Sequence, residues 1–189
     1  MNTRRKEKPS DAAPLSLRRC KTRINKKDVI FENLSDKHRI PVIDIFNFYI
    51  KNDFSAYPEK KLIYDYYDNF LAIANKHPAF AIKVKDKVVG FCFLSSYNSF
   101  SSFKETAQIT YFIDKDYKGK GIGKMALNIL EIEAKKRGIK NILANIASLN
   151  EESIAFHNKN GFVKCGEFRE IITKKNRKFN IVWMQKKLK

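Results

Sequence analysis

The alternation of hydrophobic and polar positions divides the chain from residue 28 onward into short strands and helices. Stretches that alternate with period two predict strands, and stretches with apolar residues three or four positions apart predict helices. Strands are expected at 29–33, 79–84, 87–94, 106–114, 141–147, 162–173 and 179–186, and helices at 36–50, 62–74, 121–137 and, between Asn150 and Gly161, at 151–160. This order predicts an α/β (α+β) fold with a mixed, mainly antiparallel sheet that contains one or two parallel pairings.

The helix at 121–137 has the clearest pattern. Met125, Ile129 and Ile132 recur at helical spacing, and we expect them to form its buried face. Acidic residues at 131 and 133 each stand four positions before a basic residue, a spacing that favours ion pairs. By contrast, Pro41 inside the segment 36–50 indicates a later start or a bend in that helix.

Charge changes the interpretation mainly at the N-terminus. The chain has 189 residues and a net charge of +18, and residues 1–28 hold ten Lys and Arg side chains against three acidic ones. Because this segment lacks hydrophobic periodicity, we predict a basic, disordered extension over 1–27 and one folded domain over 28–189. A solvated, lysine-rich surface is favoured as the explanation of the charge over attraction to a nucleic acid or an acidic membrane.

The cysteines and the apolar stretches bear on location. Cys20, Cys92 and Cys165 are widely scattered, which argues against a metal site or a disulfide framework and fits a reducing compartment. No apolar stretch reaches the length of a membrane span, and no signal-peptide pattern follows the start. The sequence therefore predicts a cytoplasmic protein without a membrane partner.

Candidate chemistry centres on a glycine-rich loop between the strand at 106–114 and the helix at 121–137. The loop reads Lys118-Gly119-Lys120-Gly121-Ile122-Gly123-Lys124. Glycines let the backbone approach a ligand closely, and the start of a helix offers free N–H groups to an anion. With three lysines added, the loop is suited to a pyrophosphate, and a purely structural turn is the alternative.

Two common phosphate-binding motifs do not fit this loop. The dinucleotide fingerprint requires a glycine at position 124, where lysine stands, and a location after the first strand of a βαβ unit. A Walker A loop requires glycine at 118 and Ser or Thr at 125, where Lys118 and Met125 stand. Both motifs are therefore excluded, which leaves a different pyrophosphate or a purely structural turn.

Three segments together resemble a known family. The pattern Lys118-x-x-Gly121-x-Gly123 looks like the acetyl-CoA pyrophosphate loop of the GNAT acetyltransferases, in which the first position is usually Arg or Gln. The segments 106–114 and 148–162 and the ending Trp183-Met184-Gln185 resemble the phosphinothricin acetyltransferase branch. The resemblance covers about 29–188 and implies a GNAT-type splayed central sheet flanked by helices, with acetyl-CoA as co-substrate and no metal.

The resemblance also implies a geometry for the cofactor. The strand residues Tyr111, Phe112 and Ile113 would offer backbone groups to the pantetheine arm, and residues 118–124 would hold the pyrophosphate. Asn150 and Ser153 would contact the cofactor from the start of the following helix.

His157 and Gln108 are the predicted catalytic residues. His157 matches the histidine of the phosphinothricin branch, and a pKa near 6.5 suits either proton role, while a structural histidine is the alternative. Gln108 stands where that branch has a glutamate thought to act as base, and a glutamine cannot take up a proton at neutral pH. Glu105 is a poor substitute because an odd spacing places it on the opposite face of a strand.

The expected acceptor is a small, amino-acid-like primary amine. Tyr97, Phe100, Phe103, Phe54 and Tyr57 are candidates for the walls of its pocket, although ordinary packing is favoured for each one alone. The alternatives are a protein or aminoacyl-tRNA acceptor, suggested by the charge, and a non-catalytic acyl-CoA-binding module, suggested by Gln108. Many relatives are dimers, so the resemblance also implies that this chain forms a homodimer.

Overall fold

Seven strands pair to form one sheet, and helices pack against it. The computed structural model describes residues 25–189. The elements are β1 (Val29–Asn33), α1 (Arg39–Asn52), α2 (Tyr67–Ala74), β2 (Ala79–Val84), β3 (Lys87–Ser96), β4 (Thr106–Ile113), α3 (Ile122–Lys136), β5 (Asn141–Ala147), α4 (Glu151–Lys159), β6 (Val163–Lys174) and β7 (Arg177–Lys187). The predicted order of strands and helices is confirmed.

The strands lie in the order β1-β2-β3-β4-β5-β7-β6. All neighbours are antiparallel except β4 and β5, which are parallel. A parallel pair needs a crossover connection, and α3 supplies it between these two strands. The predicted mixed, mainly antiparallel sheet is therefore confirmed.

Helices cover both faces of the sheet, so the central strand β3 is buried on both sides. Phe91 and Phe93 face the core beneath α1 and α2, whereas Cys92 and Leu94 face the core beneath α3. Double burial explains why residues 88–94 read as an almost continuous apolar run.

Helices α1 and α2 both begin later than predicted. A 3-10 turn, Asp36–His38, precedes α1, and Pro41 lies in the first turn of the helix. The N–H groups of a first turn have no intrahelical partner, so a proline is tolerated there without a bend. Similarly, a 3-10 turn at Tyr64–Tyr66 precedes α2.

The predicted buried face of α3 is wrong. Ile132 is 50% exposed, and the side chains that pack on the sheet are Ile122, Ala126, Leu127, Leu130 and Ala134. The buried stripe is therefore rotated relative to the prediction. Several apolar stripes fit one helix of this composition, and only the position of the sheet selects among them.

The predicted ion pairs of α3 are replaced by others. Glu133 pairs with Lys136 at 2.7 Å, three positions along the helix, and Glu131 pairs with Lys186 of β7 at 2.5 Å. Glu131 thus pairs with a lysine of β7 instead of Lys135, the partner that helical spacing predicted.

The proposed N-terminal extension, 1–27, falls largely outside the described residues. Within them, Lys26–Asp28 form a 3-10 turn that leads directly into β1. Among residues 25–189, no helix has the length and apolar character that crossing a bilayer requires.

Candidate active site

A wedge between β4 and β5 forms the main cavity. The two strands pair only over 106–108 and 141–143. Beyond that point β4 stays paired with β3 up to Ile113, and β5 stays paired with β7 up to Ala147. The separated strands line a cavity of about 790 Å³, with residues 109–113 on one side and 144–147 on the other. This separation is the splayed sheet that the resemblance implied.

The glycine loop lies at the end of β4 and starts α3. The Asp114 side chain accepts a hydrogen bond from the Asp116 N–H at 3.0 Å, which closes a 3-10 turn at Lys115–Tyr117. Gly119 and Gly121 then adopt φ values of 70° and 86°, in the left-handed region that favours glycine. Gly121 is the N-cap of α3.

This backbone conformation leaves donors available. In the first turn of α3, the N–H groups of Ile122, Gly123 and Lys124 have no partner within the helix. The positive end of the helix dipole adds to their attraction for an anion. The loop is therefore built to hold a phosphate-bearing group.

Most of the predicted cofactor-binding residues come together at the cavity. Its lining includes Tyr111, Phe112, Ile113, Lys118, Gly119, Gly121, Gly123, Lys124, Asn150 and Ser153. Two others do not line it: the Lys120 ammonium lies over the Tyr117 ring at 5.0 Å, and the Ile122 side chain is buried in the core. For Ile122, only the backbone N–H is available to a ligand.

An ion pair crosses the mouth of the cavity. Lys118 Nζ lies 2.6 Å from Glu152 Oε2, at the start of α4. Helix α4 begins there because the Asn150 side chain accepts a hydrogen bond from the Ser153 N–H at 3.1 Å. Both side chains of the ion pair are largely solvent-exposed, so the pair is weak and leaves Lys118 available to a phosphate.

His157 is buried beside the cavity and its orientation is set by two hydrogen bonds. Its Nδ1 lies 2.8 Å from the Ser153 carbonyl oxygen, which can only accept, so Nδ1 carries the hydrogen. Nε2 then accepts the hydrogen bond from the Tyr111 hydroxyl at 2.9 Å. Burial lowers the pKa of His157 below its usual value, and the bond to Ser153 opposes this only in part. The imidazole is therefore neutral at pH 7.

Gln108 lies at the apex of the wedge but does not line the cavity. It is the last residue of β4 that pairs with β5, opposite Leu143. Glu105 forms an ion pair with Lys140 at 2.8 Å, before β4 begins. Within residues 25–189, neither side chain hydrogen-bonds to Tyr111 or His157, and of the two predicted catalytic residues only His157 lines the cavity.

The aromatic residues predicted to shape an acceptor pocket divide into two groups. Tyr57 lines the cavity, but the other predicted residues do not. Tyr97 packs on Phe103 and on Trp183, and Phe54 packs on Phe179. Phe100 is 71% exposed. The aromatic wall of the cavity comes instead from α1, α2 and the sheet, and includes Phe46, Tyr49, Phe70 and Phe112.

Two cavity residues escaped the sequence interpretation. Tyr49 donates a hydrogen bond to the Ile113 carbonyl at 2.5 Å, which ties α1 to the end of β4. Asn145 accepts a hydrogen bond at its Oδ1 from the Tyr57 hydroxyl at 3.1 Å. Asn145 is a polar residue between the apolar residues 142–144 and 146–147, which was a usable signal, whereas nothing in the sequence distinguishes Tyr49 from its aromatic neighbours.

Comparison with known families agrees with this geometry. The model of the family described as the acetyltransferase (GNAT) family matches residues 42–162. The match includes most of α1, the wedge, the glycine loop and α4.

Relatives of known name are moderately similar in sequence. The L-amino acid N-acyltransferase MnaT of Escherichia coli is 29% identical over 59% of this chain and 65% of its own length. An L-methionine sulfoximine/L-methionine sulfone acetyltransferase of Salmonella typhimurium is 27% identical over 59% of this chain and 66% of its own. The chain thus matches slightly less than two thirds of either relative. A phosphinothricin N-acetyltransferase of Streptomyces coelicolor is 20% identical over 78% of this chain and 90% of its own length.

Solved structures share the fold. A ribosomal-protein-alanine N-acetyltransferase of Brucella melitensis superposes with a TM-score of 0.79 at 24% identity, covering 84% of this chain and 99% of that one. A phosphinothricin acetyltransferase of Sinorhizobium meliloti, in complex with AcCoA, has a TM-score of 0.80 at 21% identity, covering 85% and 89%.

Proposed function

The chain belongs to the acetyltransferase (GNAT) family, and from this we propose that it transfers an acetyl group from acetyl-CoA to the primary amine of a small, amino-acid-like acceptor. The observation that carries the proposal is the wedge between β4 and β5, which ends at the N-terminus of α3 with its glycine loop. One cavity thus joins a site for a diphosphate to a narrow space between two strands.

The residues around the wedge fit acetyl-CoA. The cavity volume of about 790 Å³ lies within the range of sites for ligands and cofactors. Gly119, Gly121 and the first N–H groups of α3 would hold the diphosphate, and the cavity-lining Lys118, Lys124 and Lys159 would add positive charge. When bound, acetyl-CoA supplies an acetyl group activated as a thioester.

The edge of β4 supports a place for the pantetheine arm. Residues 109–113 pair with β3 on one side but not with β5 on the other. Their β5-side backbone N–H and C=O groups are therefore available to the amides of an extended ligand, as in the addition of a strand to a sheet edge.

The Tyr111–His157 pair supplies a route for the proton. As the amine attacks, Tyr111 Oη accepts a proton from the amine nitrogen while its own proton passes to His157 Nε2, 2.9 Å away. The reverse passage returns that proton to the departing thiolate sulfur. A neutral His157 is the state that this relay requires, and burial favours that state.

The names of the relatives support the choice of acceptor. They describe enzymes that act on L-amino acids, methionine sulfoximine, methionine sulfone and phosphinothricin. Residues 55–58 of the segment after α1 also line the cavity, and a wall on this side suits a small acceptor better than a macromolecule.

Binding of acetyl-CoA and release of free thiol test this function. Acetyl-CoA at 100 times its Kd should raise the free energy of unfolding by about 2.7 kcal/mol, seen as a higher Tm. A panel of amino acids and their analogues with acetyl-CoA should then give acceptor-dependent thiol release. Binding without release for any amine would identify a non-catalytic acyl-CoA-binding module, and no Tm shift at millimolar acetyl-CoA would refute the proposal altogether.

The remaining expectations on location and assembly belong to this proposal. Free Cys92 and Cys165 support a reducing compartment such as the cytoplasm. The homodimer stays a prediction, as does the expectation that nucleic acid is not a partner.

A further inference from the structure

A lysine lies in the interior at the end of β6. Lys174 is 0% exposed, although lysine is almost never fully buried without a partner of opposite charge. Its Nζ donates hydrogen bonds to the carbonyl oxygens of Asp53 at 2.8 Å and Ala56 at 2.5 Å. Both partners are main-chain groups rather than carboxylates.

Holding a charge in this place has a cost. Burial lowers the pKa of Lys174, neighbouring Lys175 lowers it further, and Asp53 and Glu59 oppose the shift. A buried ammonium is a poor means of stabilising a fold, since apolar side chains of similar volume often serve equally well. The conformation that Lys174 imposes on its partners is therefore the feature that requires an explanation.

Those partners belong to the segment 53–58 between α1 and α2. Within it, Ser55, Ala56, Tyr57 and Pro58 line the cavity. Without Lys174, the carbonyls of Asp53 and Ala56 would lose their shared donor, and this stretch has no regular secondary structure of its own to keep its shape.

The segment lies on the α1 and α2 face of the sheet, whereas the glycine loop starts α3 on the other face. On β5, Ala144 and Ile146 face the core beneath α3, so Asn145 between them faces the side of α1 and α2. The Tyr57 hydroxyl reaches this Asn145 at 3.1 Å, and burial raises the pKa of Tyr57 to about 12, so the phenol stays a donor. The segment therefore bridges from β6 to β5 across that side of the cavity.

One group in the segment points to a ligand. The Ser55 Oγ is buried and has no hydrogen-bond partner within residues 25–189. An unpaired buried hydroxyl costs about 1–3 kcal/mol, and a serine can turn about χ1 to reach a partner that enters the cavity. A polar group of the acceptor would satisfy it.

We propose that Lys174 is a positioning residue for the acceptor, acting through segment 53–58, whose Ser55 and Tyr57 hydroxyls provide neutral hydrogen-bonding groups on the acceptor side of the cavity. This inference rests on the proposed function. It assigns the glycine loop to acetyl-CoA and segment 53–58, held by Lys174, to the acceptor.

Steady-state kinetics of Lys174→Met, with the best acceptor from the panel, tests the inference. We expect the KM for the acceptor to rise about tenfold, the factor that corresponds to one lost hydrogen bond between the segment and the acceptor, while the KM for acetyl-CoA stays within about twofold. Amide hydrogen exchange should become faster in 53–58 and remain unchanged in 118–124.

Lys178→Met is the matched control, because Lys178 lies in the same hairpin and is exposed, and strand alternation points it away from the face on which Phe179 packs against Phe54. It should leave both KM values unchanged. If Lys174→Met does not fold, judged by loss of a cooperative unfolding transition, Lys174→Arg is measured in the same way. An unchanged acceptor KM, or an equal rise in both KM values, would overturn the inference, whereas absence of turnover in the unmodified protein would overturn the proposed function instead.

Discussion

At the scale of single residues, surroundings decide what a side chain can do. His157 has one nitrogen committed to the Ser153 carbonyl and the other to the Tyr111 hydroxyl. It cannot take a proton directly from a substrate in this arrangement, but it can do so through Tyr111. Tyr111 and His157 both line the cavity, and the Tyr111 hydroxyl is the group that occupies the Nε2 side of the imidazole.

Removing that hydroxyl gives the first residue-scale prediction. Tyr111→Phe should lower kcat by about 10²-fold, the usual scale of a lost proton-transfer group, with little change in the KM for acetyl-CoA. His157→Gln should lower kcat similarly, and the double variant should be no worse than either single one, because the two residues act as one unit. Measurement of kcat by thiol release checks both.

Tyr97→Phe is the control for this experiment, since Tyr97 packs on Trp183 away from the cavity lining. It should retain full kcat. A Tyr111→Phe variant with the kcat of the unmodified protein would leave the pair with a structural role only.

At the scale of elements, α3 shows how burial assigns a face to a helix. Leu130 is 0% exposed and Ile132 is 50% exposed, although both are large aliphatic residues on the same helix. The sequence placed Ile132 on the buried face, and the sheet selected the neighbouring stripe. Because α3 begins at the glycine loop, the way in which α3 packs on the sheet also determines where the first N–H groups of the helix point.

Truncation of these two residues should have unequal effects. Leu130→Ala should lower the free energy of unfolding by about 2–5 kcal/mol, because it leaves a cavity in the core. Ile132→Ala should change it by less than about 1 kcal/mol, since half of the side chain is already in water. Denaturant unfolding of the two variants measures the difference, and equal losses would contradict the buried face described here.

At the scale of the whole molecule, charge and protonation set the response to pH. The chain has three histidines, and burial lowers the pKa of each of them: His38, His77 and His157. A group with a lowered pKa in the folded state binds its proton more readily when unfolded. Its contribution to stability is therefore complete above the unfolded pKa, near 6.5, and is lost as the pH falls through the folded value.

Acidification from pH 7.5 to 5.5 should therefore lower the Tm. The Glu32 carboxylate does not reverse this trend. Contacts with Lys37 and Lys83 lower its pKa from 4.5 to about 2, so its contribution to stability is lost as the pH falls from about 4.5 through 2, below the range tested. His157→Gln should show a smaller slope of Tm against pH, whatever its absolute Tm. A Tm that is constant or rises on acidification would show that these histidines are not buried as neutral groups.

The sequence alone sufficed for the order of the elements, the mixed sheet and the glycine loop. Periodicity is local, so strands and helices can be read from it, and the positive φ of Gly119 and Gly121 follows from residues that lie side by side in the chain. The family pattern in 106–124 and 148–162 is equally local. For that reason the cofactor end of the site was largely predictable, as the position of Lys118, Gly121 and Asn150 around one cavity illustrates.

Only the tertiary structure decided the contacts at the proposed acceptor end of the site. Tyr57 meets Asn145 across 88 positions of the chain, and Lys174 meets Asp53 across 121. The tertiary structure also placed Gln108 outside the cavity lining, packed Tyr97 on Phe103 and Trp183, and paired Tyr111 with His157. Such contacts depend on how the strands separate and how α1 and α2 pack against them, and this packing minimises free energy over the whole chain rather than within any one segment.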